Sequence, residues 1–352
     1  QTFLIRYFVN IDILSEAELT QLRSIIAAAA DIVVIGHVNP DGDAIGSTLA
    51  WTNYLQGEGK SVSVIVPDKY PDFLNWIPNT DKIQRHDKHP EKTELLVASA
   101  DLIFCLDFNT LTRSELLADH ISASKAVKVL IDHHPNPDDC FNLVISHPEM
   151  SSTCELIFRI VWQLGAFERL GTHFAVPCYC GMMTDTGGFT FNSTRPEIFF
   201  IISQLLTKGI DKDKIYRNVY NVASESKLRL WGYVLYEKME YDAARHAAFF
   251  TLTRDDLKRF NYIKGDTEGL VNMPLQIKGT RLSISLREDT DKDNTVWVSL
   301  RSVDNFNCTE MAAAFFNGGG HFNASGGRLN CSIEEAARIT RKAIETFEDK
   351  LR

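Results

Sequence analysis

The sequence predicts an α/β protein, with an N-terminal parallel sheet flanked by helices and a smaller mixed α/β domain after it. Three observations carry that expectation. Short apolar runs rich in β-branched residues alternate with helical patterns early in the chain, and strands of alternating polarity replace them from His246 onward. The length of 352 residues suits about two domains of ordinary size.

Asp31 to Gly36 (DIVVIG) reads as the first strand, followed by a turn rich in Pro, Gly and Asp and a helical pattern from Ala44 to Leu55. The same beat recurs at Ser61 to Val66, Leu102 to Leu106 and Ala126 to Ile131. Runs that are apolar on both faces belong in a parallel sheet covered by helices. Helical periods dominate from Ser151 to about Glu240, including Cys154 to Gln163 and Glu197 to Leu206. Strands are expected at Ala247 to Thr253, Leu275 to Leu286 and Thr295 to Arg301, and a charged amphipathic helix from Ile333 to Leu351 closes the chain. The expected division is a first domain over residues 1–195, a helical linker over 196–240 and a second domain over 241–352.

Composition narrows the class of protein. Hydrophobic residues at 44% and charged residues at 24% fit a folded globular chain and exclude disorder. A net charge of -9 argues against coating duplex DNA by bulk charge, so any nucleic-acid contact must be local. No apolar run reaches the length of a membrane span, and the opening residues lack a signal peptide's pattern, which makes the cytoplasm the expected location. The start at Gln1 reads as a trimmed chain and bears on nothing functional. Seven scattered cysteines without a CxxC pair read as reduced thiols, and Cys178 and Cys180 as core residues of a helix.

The chemistry concentrates where strands end. The first strand runs into His37-Val38-Asn39-Pro40-Asp41-Gly42-Asp43, the third into Asp107, and the fourth into Asp132-His133-His134. Open α/β sheets place their sites at this carboxyl edge. Each residue has a plain structural reading: Asp43 as a helix cap, Asn39 as a pre-proline turn residue, a strand-end Asp as a turn. Three parallel strands delivering Asp or His to one edge outweigh those readings taken singly. Asp185, before the Gly187-Gly188 pair, adds a further carboxylate. Two carboxylates about 4 Å apart repel by roughly 4 kcal/mol at an effective dielectric near 20, so a convergent cluster calls for cations. Carboxylates with imidazoles and no thiolate suit Mn²⁺ first, with Mg²⁺ or Co²⁺ as alternatives. Two ions sharing one carboxylate would serve phosphoester or phosphoanhydride hydrolysis.

The run His37 to Ser47, Asp107, Asp132-His133-His134 and Thr184-Asp185-Thr186-Gly187-Gly188-Phe189 resemble the four motifs of the DHH phosphoesterase superfamily, in that family's order. The C-terminal half resembles the DHH-associated domain through Glu268-Gly269-Leu270-Val271, Ser299-Leu300-Arg301-Ser302, Gly318-Gly319-Gly320-His321 and Ala324-Ser325-Gly326-Gly327. The bacterial nanoRNase branch, which degrades very short oligoribonucleotides and often dephosphorylates 3′-phosphoadenosine 5′-phosphate (pAp), is the nearest in pattern. The resemblance implies one ion on His37, Asp41 and Asp107, and a second on Asp43, Asp107, His133 and Asp185, with Asp107 bridging. It further implies that Asp132 orients an imidazole and that His134 faces the scissile phosphate, while Asn39 positions the loop or touches phosphate. A homodimer is expected on the same ground.

In the second domain, Gly318, Gly319 and Gly320 offer a backbone nest for an anion beside His321. Arg301 could fork onto a terminal phosphate or sit in a surface salt bridge, and Ser302 goes with it as substrate-binding. The reading is therefore a Mn²⁺-dependent phosphohydrolase that trims short single-stranded RNA to mononucleotides and also acts on pAp. Cyclic di-AMP or pApA cleavage and inorganic pyrophosphatase or exopolyphosphatase activity are the enzymatic alternatives. A non-catalytic oligonucleotide sensor would need a broken ligand set.

Overall fold

A computed structural model describes residues 9–263 and 265–352, without the side chain of His321. The chain forms two units, Gln1–Val222 and Ala223–Arg352. The division falls within residues 196–240, whose first two helices pack in the first unit and whose third opens the second.

In the first unit, α1 (Glu16–Ala28) precedes β1 (Asp31–Ile35), α2 (Gly42–Gly57), β2 (Ser61–Val66), β3 (Gln84–Arg85), α3 (Pro90–Ser99), β4 (Leu102–Leu106), α4 (Ala118–Ala123), β5 (Val127–Asp132) and β6 (Leu143–Ser146). Four helices follow: α5 (Thr153–Gln163), α6 (Thr172–Asp185), α7 (Pro196–Leu206) and α8 (Lys212–Tyr220). The six strands are all parallel in the order β3-β2-β1-β4-β5-β6. Strand order reverses between β1 and β4, which opens a crevice at their carboxyl ends. The apolar strand runs explain the layering, because Val34, Phe104 and Ile131 join the core under α2, α5 and α6, whereas Ile35, Cys105 and Leu130 pack on the other face with Val97 and Ile121.

Helices α2 and α6 cross closely enough to exclude side chains. A Cβ on Gly46 would lie 2.5 Å from the Pro177 carbonyl oxygen, and one on Gly181 would lie 2.2 Å from Cys154 Sγ and 2.8 Å from Asp43 Oδ1. Gly181→Ala is therefore expected to destabilise the first unit by about 1–3 kcal/mol through overpacking. Urea unfolding tests this, and an unchanged midpoint would contradict the packing.

The second unit contains α9 (Glu225–Tyr233), β7 (Met239–Asp242), β8 (Ala247–Leu252), α10 (Arg254–Arg259), β9 (Leu282–Glu288), β10 (Val296–Ser302), α11 (Cys308–Phe315), β11 (Gly319–His321), β12 (Ala324–Leu329), α12 (Ile333–Thr346) and α13 (Glu348–Leu351). Its sheet runs β11-β12-β10-β9-β8-β7, antiparallel except for the β8–β9 pair. One face carries Ile284, Val298 and Leu300 into a core with Met311, Ala336 and Ile344 of α11 and α12. The strand expected from Leu275 begins only at Leu282: Leu270–Gln276 is a 3₁₀ turn containing Pro274, and Gly279 (φ 89) turns the chain before pairing resumes. The closing helix breaks at Phe347 (φ -99, ψ 11), leaving α13 as a separate turn.

Candidate metal centre

The loop after β1 and the first turn of α2 deliver three of the site residues. Asp41 is the N-cap of α2, and its Oδ1 accepts from the Asp43 and Ala44 N–H groups at 2.9 and 3.0 Å. That cap turns Asp43 inward, where it is fully buried. The Asp43 carboxylate in turn accepts from Thr153 N at 2.6 Å and Cys154 N at 2.9 Å, donors of the first turn of α5 that have no partner within the helix. Asn39 takes a left-handed conformation (φ 50) and donates its N–H to Asp68 Oδ1 at 2.7 Å, with its own side chain exposed.

Asp107 follows β4 directly, with φ 66, and is buried. Its Oδ1 accepts from Thr153 Oγ1 at 2.9 Å. His37 Nε2 lies 3.4 Å from its Oδ2, and His133 Nε2 lies 3.5 Å from its Oδ1. Asp185, at the end of α6, brings Oδ2 to 3.3 Å from His133 Nε2. Three sets of ligand-type atoms each fall within 4.8 Å of one another: His37, Asp41 and Asp107; Asp43, His133 and Asp185; and Asp107, His133 and His134.

Charge makes this cluster costly as it stands. Burial pushes the Asp43 and Asp107 carboxyls well above the usual carboxylate range, and each is raised further by neighbouring carboxylates: Asp107 and Asp41 act on Asp43, while Asp41, Asp185 and Asp132 act on Asp107. Asp185 is pushed up to about 9 by burial, then by Asp43 and Asp41. Among the described residues no Lys or Arg forms an ion pair with any of these carboxylates.

The imidazoles say what the cluster accepts. His37 Nδ1 meets the Val38 carbonyl at 2.7 Å and so carries its proton there; Nε2 is buried, has no hydrogen-bond partner among the described residues and faces Asp107. His133 repeats the arrangement, with Nδ1 3.4 Å from the Met150 carbonyl and Nε2 toward Asp107 and Asp185. Burial, and then His134, lowers the His133 pKa and favours the neutral ring. Bare nitrogen lone pairs set against buried carboxylates are satisfied by a divalent cation, so the residues present fit a metal site of oxygen and imidazole donors.

His134 differs from its neighbour. Its Nδ1 is 2.7 Å from Oδ1 of the fully buried Asp132, and its Nε2 is 3.2 Å from Arg113 Nη1, a donor. The proton therefore sits on Nδ1 and is held by Asp132. Arg113 Nη1 also reaches the Asp107 carbonyl at 3.4 Å, and the Arg113 carbonyl accepts from Val38 N at 2.8 Å. Neither Arg113 nor Thr153 stands out in the sequence. The Ser152 cap, whose side chain accepts from Glu155 N at 3.0 Å, marks the start of α5 and was the one signal toward Thr153. Arg113 lies in an irregular stretch with no such marker.

Six residues expected to bind substrate, Arg301, Ser302, Gly318, Gly319, Gly320 and His321, belong to the second unit. Arg301 is half-buried on the open face of β10, its Nη1 donating to the Leu300 carbonyl at 2.8 Å. Ser302 does not share that face: it is buried, donates to the Phe306 carbonyl at 2.7 Å and accepts from Asn323 Nδ2 at 2.9 Å, because successive strand residues point to opposite sides. The glycine run is an edge strand rather than a free nest. The Gly318 N–H is taken by the Ala312 carbonyl, Gly319–His321 pairs with Ala324–Gly326, and Cβ atoms on Gly318 and Gly320 would lie 1.9 and 2.7 Å from the carbonyl oxygens of Gly326 and Ala324. The glycines are there for close backbone approach. The His321 side chain lies outside the described residues.

Residues 31–182 match the model of the DHH family N-terminal domain, and residues 246–349 match the DHHA1 domain. An exopolyphosphatase-related protein from Bacteroides fragilis, known as a crystal structure, is 48% identical, with a TM-score of 0.88 over 96% of this chain and 98% of that one. The bifunctional oligoribonuclease and PAP phosphatase NrnA of Thermus thermophilus is 26% identical over 86% of this chain and 85% of its own. The cyclic-di-AMP phosphodiesterase GdpP of Geobacillus thermodenitrificans is 25% identical over 93% of this chain, which spans 49% of that longer protein. No helix among the described residues is long and apolar enough to cross a membrane.

Proposed function

This chain is a phosphoester-hydrolysing enzyme of the DHH family, and we propose that it releases mononucleotides from very short oligoribonucleotides and removes the 3′-phosphate of pAp, using two Mn²⁺ ions. The observation that supports this most is the pair of bare imidazole nitrogens, on His37 and His133, facing buried carboxylates at the crevice where strand order reverses. We assign His37, Asp41 and Asp107 to one ion, and Asp43, Asp107, His133 and Asp185 to the other. When bound, such ions acidify water and neutralise phosphoryl oxygens. The remaining steps fall to the protein. The Asp132 carboxylate fixes the His134 proton on Nδ1, which leaves Nε2 to take the proton that the attacking water gives up and pass it to the departing oxygen. Arg113, already against His134 Nε2, gives its donors to the phosphate. Met150 and Thr153 hold His133 and Asp107 in place. In the second unit, Arg301 recognises the nucleotide.

Names of relatives favour three substrate classes: short RNA and pAp, cyclic dinucleotide, and polyphosphate. One Mn²⁺ assay distinguishes them by comparing kcat/KM for short oligoribonucleotides, pAp, pApA, cyclic di-AMP, pyrophosphate and polyphosphate. Oligoribonucleotides and pAp are expected to lead by at least about tenfold. A lead by cyclic di-AMP or by polyphosphate would overturn the proposal.

A further inference from the structure

The open face of the second sheet carries a row of cationic and aromatic groups that the reading above does not use. Register places Arg287 of β9, Trp297 of β10 and Arg328 of β12 side by side on one rung. The next rung is Ser285, Ser299 and Gly326, all small, and the one after it is Ser283, Arg301 and Ala324. The opposite face is closed by α11 and α12; this one is covered over β8, where Phe250 and Leu252 pack with Leu230, Leu257 and Leu270, and is exposed over β10, where Trp297 is 40% exposed. Two cavities adjoin the line Trp297–Ser299. One of about 620 Å³ lies over Gly319, Gly326 and Arg328, and one of about 240 Å³ lies over Gly269, Ser285 and Arg301.

Charge on this face is unusual for a chain of net charge -9. Arg245, Arg254, Arg338, Arg341 and Arg352 of the same unit all form ion pairs with carboxylates. Among the described residues Arg287, Arg301 and Arg328 form none, as is true of Arg259 and Arg281 elsewhere in the unit; Arg287 lies 5.8 Å from the Tyr262 ring centroid and Arg328 6.0 Å from that of Trp297. The indole Nε1 donates to Asp289 Oδ2 at 2.7 Å, which fixes that edge of the ring. The acidic groups nearby are partly engaged: Asp289 is bound to that indole and to the Asp291 and Lys292 N–H groups, and Asp293 to Arg254, while Glu268 lines the smaller cavity and is exposed.

An aromatic platform between two uncompensated guanidinium groups suits a base flanked by phosphates. We propose that this face binds single-stranded oligonucleotide beyond the nucleotide held at Arg301, with one base stacked on Trp297 and adjacent phosphates on Arg287 and Arg328. Arg301 and Trp297 are four residues apart on one strand, about 14 Å, so one phosphate cannot reach both. The inference rests on the oligonucleotide reading of the enzyme. A bare polyphosphate would gain nothing from the indole.

The test uses the full chain in EDTA, where binding is read without cleavage, and a fluorescein-labelled pentaribonucleotide followed by anisotropy. Trp297→Ala is expected to weaken binding at least about tenfold and Trp297→Phe to keep most of it. Arg287→Ala and Arg328→Ala are each expected to lower the slope of log affinity against log salt by about one. Wild-type affinity in Trp297→Ala, or equal competition by tripolyphosphate against both proteins, would overturn the surface. Tight wild-type binding with no hydrolysis of RNA or pAp in Mn²⁺ would instead sink the catalytic reading and leave the surface standing.

Discussion

Replacing Asp107 with Asn is expected to lower phosphoester hydrolysis by at least about a thousandfold, with the metal-free protein made more stable by the same change. The two halves come from one geometry. Asp107 is the carboxylate that both facing imidazoles approach, His37 at 3.4 Å and His133 at 3.5 Å, and three further carboxylates raise its pKa from Asp41, Asp185 and Asp132. An amide keeps the shape and the Thr153 contact but cannot neutralise a divalent cation, so the centre is lost. In EDTA the same amide removes a buried acid that the folded state holds only by keeping it protonated, and relieves its neighbours. Turnover of pAp in Mn²⁺ and urea unfolding in EDTA measure the two effects. Retained turnover would remove Asp107 from the chemistry; a fall in metal-free stability would show that the carboxylate is compensated in a way its surroundings do not reveal.

The sequence revealed the site better than the fold around it, for a physical reason. Buried parallel strands must be apolar on both faces, so β1, β2, β4 and β5 announce themselves, and the residues that follow them share one edge by topology alone. His37, Asp107 and His133 were legible for that reason. β3 is two polar residues at the sheet's edge, and β12 is glycine-rich (ASGGRL); neither has a side-chain period to read. Arg113 was hidden because its guanidinium reaches His134 from an irregular stretch, a contact set by tertiary structure. Ser302 was misplaced with Arg301 because adjacent residues of a motif point to opposite faces of a strand. The glycine triplet looked like a free loop because sequence does not show the carbonyl oxygens of β12 that crowd it.

Metal-free protein should lose stability steadily as pH rises from about 5 to 8, and divalent cation should reverse the trend. An acid whose folded pKa lies above its unfolded value keeps its proton in the folded state over the interval between them. There the folded state binds more protons than the unfolded chain, so unfolding free energy falls as pH increases. For Asp185 that interval runs from the ordinary carboxylate value of 3.8 to about 9; burial, then Asp43 and Asp41, is the cause. Asp43 and Asp107 are raised in the same direction. Each pH unit costs the folded state at most about 1.4 kcal/mol per site, and solvent entering the metal-free crevice will lower that. A drop in Tm of about 5 °C or more for the transition of the first unit is the expected reading in EDTA between pH 5 and 8. With saturating Mn²⁺ the carboxyls ionise against the cation, protons are released, and the slope should flatten or change sign. Asp107→Asn tests the assignment, because it removes one of the three raised carboxyls and should flatten the EDTA curve without cation. A Tm that rises with pH in EDTA would mean that the carboxylates are already paired, and the case for cations at this crevice would fail with it.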